Sequence, residues 1–540
     1  MTEFDYIVAG AGSGGAVLAT RLAQAGRRVL LVEAGQRDRS PWIHIPMGVG
    51  KILNNPQWVW KFNTEPQGSL RGQQIYSPRG KVLGGSSSVN GMAYIWGDPA
   101  EFDSWTRLGV QGWCFEDVQP YFARIESNGY SDHPKRGRNG PIKITDRSVV
   151  ARDPISDAFI QSCLDLGIAK TPDYNVVSYE GVRYLEQNAH RGRRFSTAVG
   201  YLRPNLNNPN LTVWTDATFE KVLFEGNRAT GAVITRLGER MSVKCREEVV
   251  LACGAFKTPQ ILELSGIGDP TVLREHGIET KIANPLVGNN LSDHLQVRYT
   301  YKTNLPITLN DLARSPWVKL KAVIQYLLFG KGLLSGTSST AHAITRVSST
   351  ANHVDAMIRL YQISGTDRYS RSPSAGLDKF PGFSIGGFLL YPQSRGSVHI
   401  RSADPQADPL IDPNYLAATQ DQVNVVRLLK RIGQIAQQPS MRKFIVEQTR
   451  PAADLNDDQL LDYAKQIGQT AWHSVGTCQM GLPGRSVVDS ELRVHGIENL
   501  RIGDISVLPT IVSSNTNAAA MMIGERLADF MLKPSRGIEQ

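Results

Sequence analysis

At 540 residues the chain is too long for one ordinary core, so more than one domain is expected. Hydrophobic residues make up 41% and charged residues 20%, without a low-complexity block, which excludes a disordered or fibrous chain. The formal charge of +9 is dispersed and no nucleic-acid motif accompanies it, so it points to solubility or anion steering, with no nucleic acid as partner.

Five cysteines (Cys114, Cys163, Cys245, Cys253 and Cys478) are far apart and include no CxxC pair. Neither a disulfide framework nor a metal site is expected, and a reducing, cytoplasmic setting fits. A strand-like run starts at Phe4, so no leader is expected. No apolar run reaches the roughly 18 residues of a membrane span.

In chain order, Phe4 to Ala9 reads as a buried strand, Ala16 to Ala23 as a helix, and Val29 to Val32 as a second strand. The turn between the first two is Gly10-Ala11-Gly12-Ser13-Gly14-Gly15. Gly10 permits a tight turn, Gly12 lets backbone approach a pyrophosphate, and Gly15 lets helix and strand pack. The helix N-terminus offers free N–H groups to phosphate. Glu33, 18 residues beyond Gly15 and followed by Ala34, can accept hydrogen bonds from ribose hydroxyls. A dinucleotide is therefore expected, and NAD and FAD stay open at this point. The bland alternative is a glycine-rich turn without a ligand.

Trp58, Trp60 and Phe62 read as core aromatics, with a lid as the second reading. A dense small-residue segment then runs from Arg79 to Gly91, including Val82, Gly84, Gly85, Ser86 and Asn90, with Met92 and Ala93 just after it as further cofactor-binding candidates. Such backbone can lie against a flat ring, and Asn90 offers a donor and an acceptor to a pyrimidine edge. A structural loop is the alternative. Val249 to Gly268 reads as strand, turn and short helix, with Gly254 at the turn. The stretch Ser315 to Lys331 is apolar, aromatic and basic. It reads first as a core helix, and second as an amphipathic helix on an anionic membrane. Alternating stretches Ala356 to Gln362 and Gly396 to Ile400 suggest a sheet over a substrate cavity.

His473 lies in Ala471-Trp472-His473-Ser474-Val475-Gly476, amid small and apolar residues that can keep an imidazole neutral and basic. Leu500 to Thr510 follows, with Gly503, Asp504 and Ile505 after a strand; Asp504 suits a ribityl or pyrophosphate group. Asn515, Thr516 and Asn517 precede a helix over 519–530. The two asparagines could simply cap that helix.

The four glycine-bearing segments together resemble the glucose–methanol–choline (GMC) family of flavin oxidoreductases, nearly end to end. Gly80 to Gly91 looks like its first signature and Gly254 to Gly268 like its second. The resemblance implies an α/β protein: a discontinuous Rossmann-like FAD-binding domain (1–155, 190–305 and 463–540) and an α+β substrate domain on an antiparallel sheet (156–189 and 306–462). It implies FAD as cofactor, with Val222 contacting adenine through its backbone, Asn90 contacting the flavin, and Trp472 and Ile505 among the cofactor-binding residues. His473 becomes the catalytic base and Asn515 its partner, with Asn517 nearer the flavin. Some members tether FAD through a His where this chain has Val89, so the resemblance implies non-covalent FAD.

The expected reaction is oxidation of a primary or secondary alcohol to aldehyde or ketone, with oxygen or a quinone as acceptor. A hydroxynitrile lyase or a photochemical enzyme on the same fold is the alternative. Trp96-Gly97-Asp98-Pro99 resembles bacterial alcohol dehydrogenases of the family. The expected location is cytoplasmic, with peripheral contact at the inner membrane as the second reading.

Overall fold

Apolar runs bounded by glycine turns form a parallel sheet. In the computed structural model, which describes residues 3–348, 351–367, 376–451 and 455–533, β1 (Phe4–Ala9) and β2 (Val29–Val32) pair in parallel around α1 (Ser13–Gln24). β3 (Leu211–Trp214) lies outside β2, and β4 (Glu239–Leu251) lies on the other side of β1. Leu500–Ile502 pairs in parallel with the end of β4. Ile7, Val8, Leu30, Leu31, Val249 and Val250 are fully buried, as expected of a parallel sheet covered on both faces. The helix Asn517–Leu532 packs on α1 so closely that a Cβ on Gly524 would lie 2.5 Å from the Gly14 carbonyl oxygen. β4 changes partners along its length. Its first half pairs antiparallel with Arg228–Arg236, which in turn pairs with Ala217–Glu225. After β4, α2 (Gly254–Leu264) returns along the cleft.

A second sheet is antiparallel. It holds β5 (Leu295–Thr303), β6 (Ser339–Thr345), β7 (Ala356–Tyr361), β8 (Gly382–Leu389) and β9 (Ile445–Arg450), in the order β9-β5-β8-β7-β6, with Gly181–Tyr184 beyond β6. The period of two sorts its residues onto opposite faces. Val297, Tyr299, Ile358, Leu360 and Ile385 join a core with Val425, Leu428 and Ile432 of the helix Thr419–Gln437. Gln296, Arg298, His342, Arg359 and Tyr361 take the other face and roof the cleft toward the first sheet.

Several boundaries differ from the sequence expectation. β5, inside the range 190–305 expected for the first domain, pairs within the second sheet. Gln469–Thr470 pairs with β5, so the second sheet reaches beyond 463. Pairing with distant strands decides sheet membership, and local motifs do not show it. Ser397–His399 is outside the roof, in a separate ribbon with Leu410–Asp412.

The helix α3 (Pro316–Phe329) is not a core helix. Only Ala322 is buried, while Trp317 is 79% and Leu327 73% exposed. An apolar composition raises the tendency to be buried, but among the described residues the outer face of this helix is left exposed. Among the described residues no helix is long and apolar enough to cross a membrane.

Candidate active site

One cleft runs between the two sheets, from the N-terminus of α1 to the roof strands. At the α1 end the first turn carries no acid, and Gly12 at the N-cap makes no side-chain cap. Its N–H groups thus remain available to an anion. The glycine loops close on one another with no room for side chains. A Cβ on Gly14 would lie 2.2 Å from Gly503 O, and one on Gly85 would lie 2.7 Å from Gly12 Cα. Glu33 accepts from the Ala11 and Gly35 amides at 3.0 and 2.8 Å. Burial pushes its carboxyl up to about 7, against the pull of those amides and of Lys81.

Farther along, Asp504 accepts from Gly254 N at 2.8 Å, Thr258 Oγ1 at 2.6 Å and Ser506 N at 2.8 Å. Burial raises its carboxyl nonetheless. Asn517 accepts from Ser13 Oγ at 2.7 Å, while its Nδ2 is buried in the cleft wall without a partner. An uncapped helix start, two carboxylates for hydroxyl groups and an unsatisfied amide donor fit FAD.

Most residues singled out from sequence line this cleft: Gly10, Gly12, Ser13, Gly14, Glu33, Ala34, Arg79, Gly85, Ser86, Asn90, Gly91, Met92, Ala93, Gly254, Trp472, His473, Asp504, Ile505, Asn515, Thr516 and Asn517. Four do not. Gly15 packs under Gly10, where a Cβ would lie 2.0 Å from Gly10 O. Gly84 N donates to Ala11 O, and Val82 is fully buried in an apolar cluster. Val222 gives its backbone N–H to Ser265 Oγ at 3.0 Å, and the strand instead presents residues 217–220 to the cleft. A bulge between Phe219 and Lys221 interrupts the register of this strand. Trp58 and Phe62 are buried; Trp60 and Phe62 also line the cleft wall.

The far end holds His473. Trp472 adopts a left-handed backbone (φ 63°), unusual for a residue with a side chain. Its N–H goes to Thr470 Oγ1 at 2.7 Å, and the His473 N–H goes to Asp293 Oδ1 at 2.8 Å. This turn aims the His473 ring into the cleft.

The ring sits in a chain of hydrogen bonds whose directions can be deduced. His294 Nε2 lies 3.1 Å from Leu390 O, which can only accept, so Nε2 carries the proton. Burial, helped by Arg359, lowers the His294 imidazole to about 3, so it is neutral near pH 7. Its Nδ1 is then an acceptor, 2.9 Å from His473 Nδ1, which must donate. His473 Nε2 is left with a lone pair, 2.9 Å from Asn515 Nδ2. The Asn515 amide is oriented in the same way, because Arg359 Nη2 donates to its Oδ1 at 3.0 Å. Phe388 supports the group, stacked on His294 at 4.4 Å with Arg359 Cζ 4.4 Å from its ring centre. This geometry provides a neutral base with a donor beside it.

Sequence reasoning missed Asp293, His294, Arg298, His342 and Arg359. None belongs to a glycine-rich segment. The one usable signal was the alternation in Ala356 to Tyr361, which places Arg359 on the same face as Met357 and Tyr361. Among the described residues no cluster could hold a metal ion.

Two family models, both described as GMC oxidoreductase, match residues 4–296 and 392–524. An oxygen-dependent choline dehydrogenase of Photobacterium profundum is 36% identical, covering 98% of this chain and 93% of that protein. Another, of Rhizobium rhizogenes, is 34% identical and covers 99% and 96%. Among solved structures, pyridoxine 4-oxidase from Mesorbium loti superposes with a TM-score of 0.88 at 26% identity, covering 98% of this chain and 99% of that one. A formate oxidase shares the fold, with a TM-score of 0.90 at 24% identity and 98% of each chain covered. The chain belongs to the GMC oxidoreductases, FAD-binding enzymes that oxidise CH–OH groups.

Proposed function

We propose that this enzyme oxidises a primary or secondary alcohol to the aldehyde or ketone, with His473 as base and Asn515 as its partner. The carrying observation is the fixed lone pair on His473 Nε2 beside the Asn515 Nδ2 donor. Bound FAD would supply the hydride acceptor for the carbinol carbon. The substrate hydroxyl takes the place of Asn515 Nδ2–H at His473 Nε2 and gives its proton to that nitrogen. Asn515 Nδ2–H donates to the oxygen as negative charge develops on it. His294 keeps its proton-accepting Nδ1 against His473 Nδ1–H and so supports the imidazolium that forms. Gly12 to Gly14, Glu33, Asp504 and Asn517 would hold the cofactor. Val89, in the cleft wall, offers no nucleophile for a covalent tether.

The test is His473→Ala. The variant is expected to retain the flavin spectrum, while anaerobic flavin reduction by alcohol falls by about 10²–10⁴. Fast reduction in the variant would remove the assignment. A wild-type flavin that no alcohol bleaches would favour a lyase or photochemical reaction instead.

For the acceptor, the relatives' names include oxygen dependence, and a quinone is the other candidate. A cytoplasmic location suits the five free thiols. Peripheral contact with an anionic membrane is supported by α3. It exposes Trp317, Leu320, Ile324, Leu327, Leu328 and Phe329. Lys319 and Lys321 are exposed on the same helix, Lys331 follows it, and no acid lies between 315 and 331. Its C-terminal Gly330 packs against Gly192, between exposed Arg191 and Arg193. Apolar insertion flanked by cations matches an anionic lipid surface.

A further inference from the structure

The roof carries one row of side chains in register. Arg298 on β5, Gly386 on β8, Arg359 on β7 and His342 on β6 are successive cross-strand partners. Such partners face the same side, here the cleft. Gly386 leaves room in the row, since a Cβ there would lie 2.7 Å from Arg298 Cβ.

Arg359 is 3% exposed. Its guanidinium donates to Met357 Sδ from Nε at 3.2 Å and from Nη2 at 3.1 Å, besides the bond to Asn515. None of these partners is an anion, and the groups favouring its charge are the Tyr361 and Tyr179 hydroxyls. Arg298 Nη2 and His342 Nδ1 are buried without a hydrogen-bond partner. Among the described cleft-lining residues the carboxylates are Glu33, Glu220 and Asp504, all on elements of the nucleotide half. Asp367 acts on Arg298 through space and does not line the cleft. The segment 368–375, outside the described residues, contains no Asp or Glu.

Arg359 is a buried cation with no carboxylate against it among the described residues, which is costly, and a ligand anion would offset that cost. We propose that Arg298, Arg359 and His342 bind the negatively charged end of the substrate, so that the alcohol oxidised carries a carboxylate. This rests on the reading that His473 and Asn515 flank the reacting carbinol. Arg359 touches Asn515, so the carboxylate and the hydroxyl are close in the substrate, as in a short hydroxy acid. The carbinol C–H leaves as hydride to FAD, the O–H proton goes to His473, and the C–O bond becomes a carbonyl. The carboxylate passes through unchanged, and the product is an oxo acid. A quaternary-ammonium alcohol, the substrate class in the relatives' names, would bring a cation against Arg359.

The FAD-loaded enzyme is tested under anaerobic conditions with matched pairs. Choline is compared with 3,3-dimethylbutan-1-ol, its uncharged isostere, and 3-hydroxypropionate with propan-1-ol. The isostere is expected to reduce the flavin at least about tenfold faster than choline, and the hydroxy acid faster than the plain alcohol. A second readout needs no turnover: acetate and propionate titrations followed by flavin absorbance. Arg359→Met and, separately, Arg298→Met should weaken that binding at least about tenfold, with Arg359→Lys intermediate. Choline outpacing its isostere would overturn the proposal. Plain alcohols reducing the flavin while carboxylates neither bind nor react would overturn it too, and would leave the alcohol-oxidation reading standing. No reduction by any alcohol would instead defeat that underlying reading.

Discussion

Arg359 donates to Asn515 Oδ1 at 3.0 Å, and that single bond decides which end of the Asn515 amide faces His473. A guanidinium has only donors, so the amide oxygen must turn toward it and the Nδ2–H groups toward the imidazole.

Asn515→Asp should therefore keep the Arg359 contact and lose the donor at the reacting oxygen. The expected result is a fall of about 10²–10³ in the rate of flavin reduction. The cofactor spectrum should be unchanged. A variant within threefold of wild type would mean that Asn515 does not contact the developing alkoxide.

His294 is a positioning residue in this scheme. His294→Phe preserves stacking on Phe388 but removes the acceptor for His473 Nδ1–H. Both His473 tautomers then compete. A penalty of about 1.4 kcal/mol would slow the reaction about tenfold. The kcat/KM pH profile should also shift, which a purely structural defect would not produce. His294→Gln, which keeps an acceptor, should recover part of the loss.

Glu33 links cofactor binding to pH. Its folded-state carboxyl is pushed up to about 7 by burial, with Asp216 adding to the rise, from an ordinary value of 4.5. The folded apoprotein thus holds a proton there that the unfolded chain has released. Its contribution to stability is full below about 4.5 and is lost as pH rises through about 7. Ribose hydroxyls favour the ionised form, so FAD binding should expel this proton. FAD affinity, read from flavin fluorescence, should rise with pH up to about 7, by at most about tenfold per pH unit. Glu33→Gln should flatten the curve. A wild-type affinity constant from pH 5.5 to 8 would contradict this account.

The exposed α3 face predicts co-flotation with liposomes rich in anionic lipid at low salt, and loss of it at high salt. Leu327→Ser with Leu328→Ser should reduce binding without changing alcohol oxidation by detergent-free enzyme. Equal recovery with zwitterionic and anionic liposomes would exclude the electrostatic part. No co-migration with either would exclude membrane contact.

The sequence by itself determined the nucleotide half. The strand, glycine turn, α1 and Glu33 are contiguous, and a turn that only glycine can make is written in local spacing. The His473 segment was legible for a similar reason, since small residues crowd one imidazole within a few positions. Tertiary structure alone decided the environment of that imidazole. Its tautomer is set by His294, and its partner's orientation by Arg359, through contacts spanning 179 and 156 residues of chain. Those contacts depend on strand register, which no local pattern encodes, because register follows from how distant strands pair. The same holds for α3, whose apolar composition suggested burial but whose outer face the fold leaves exposed.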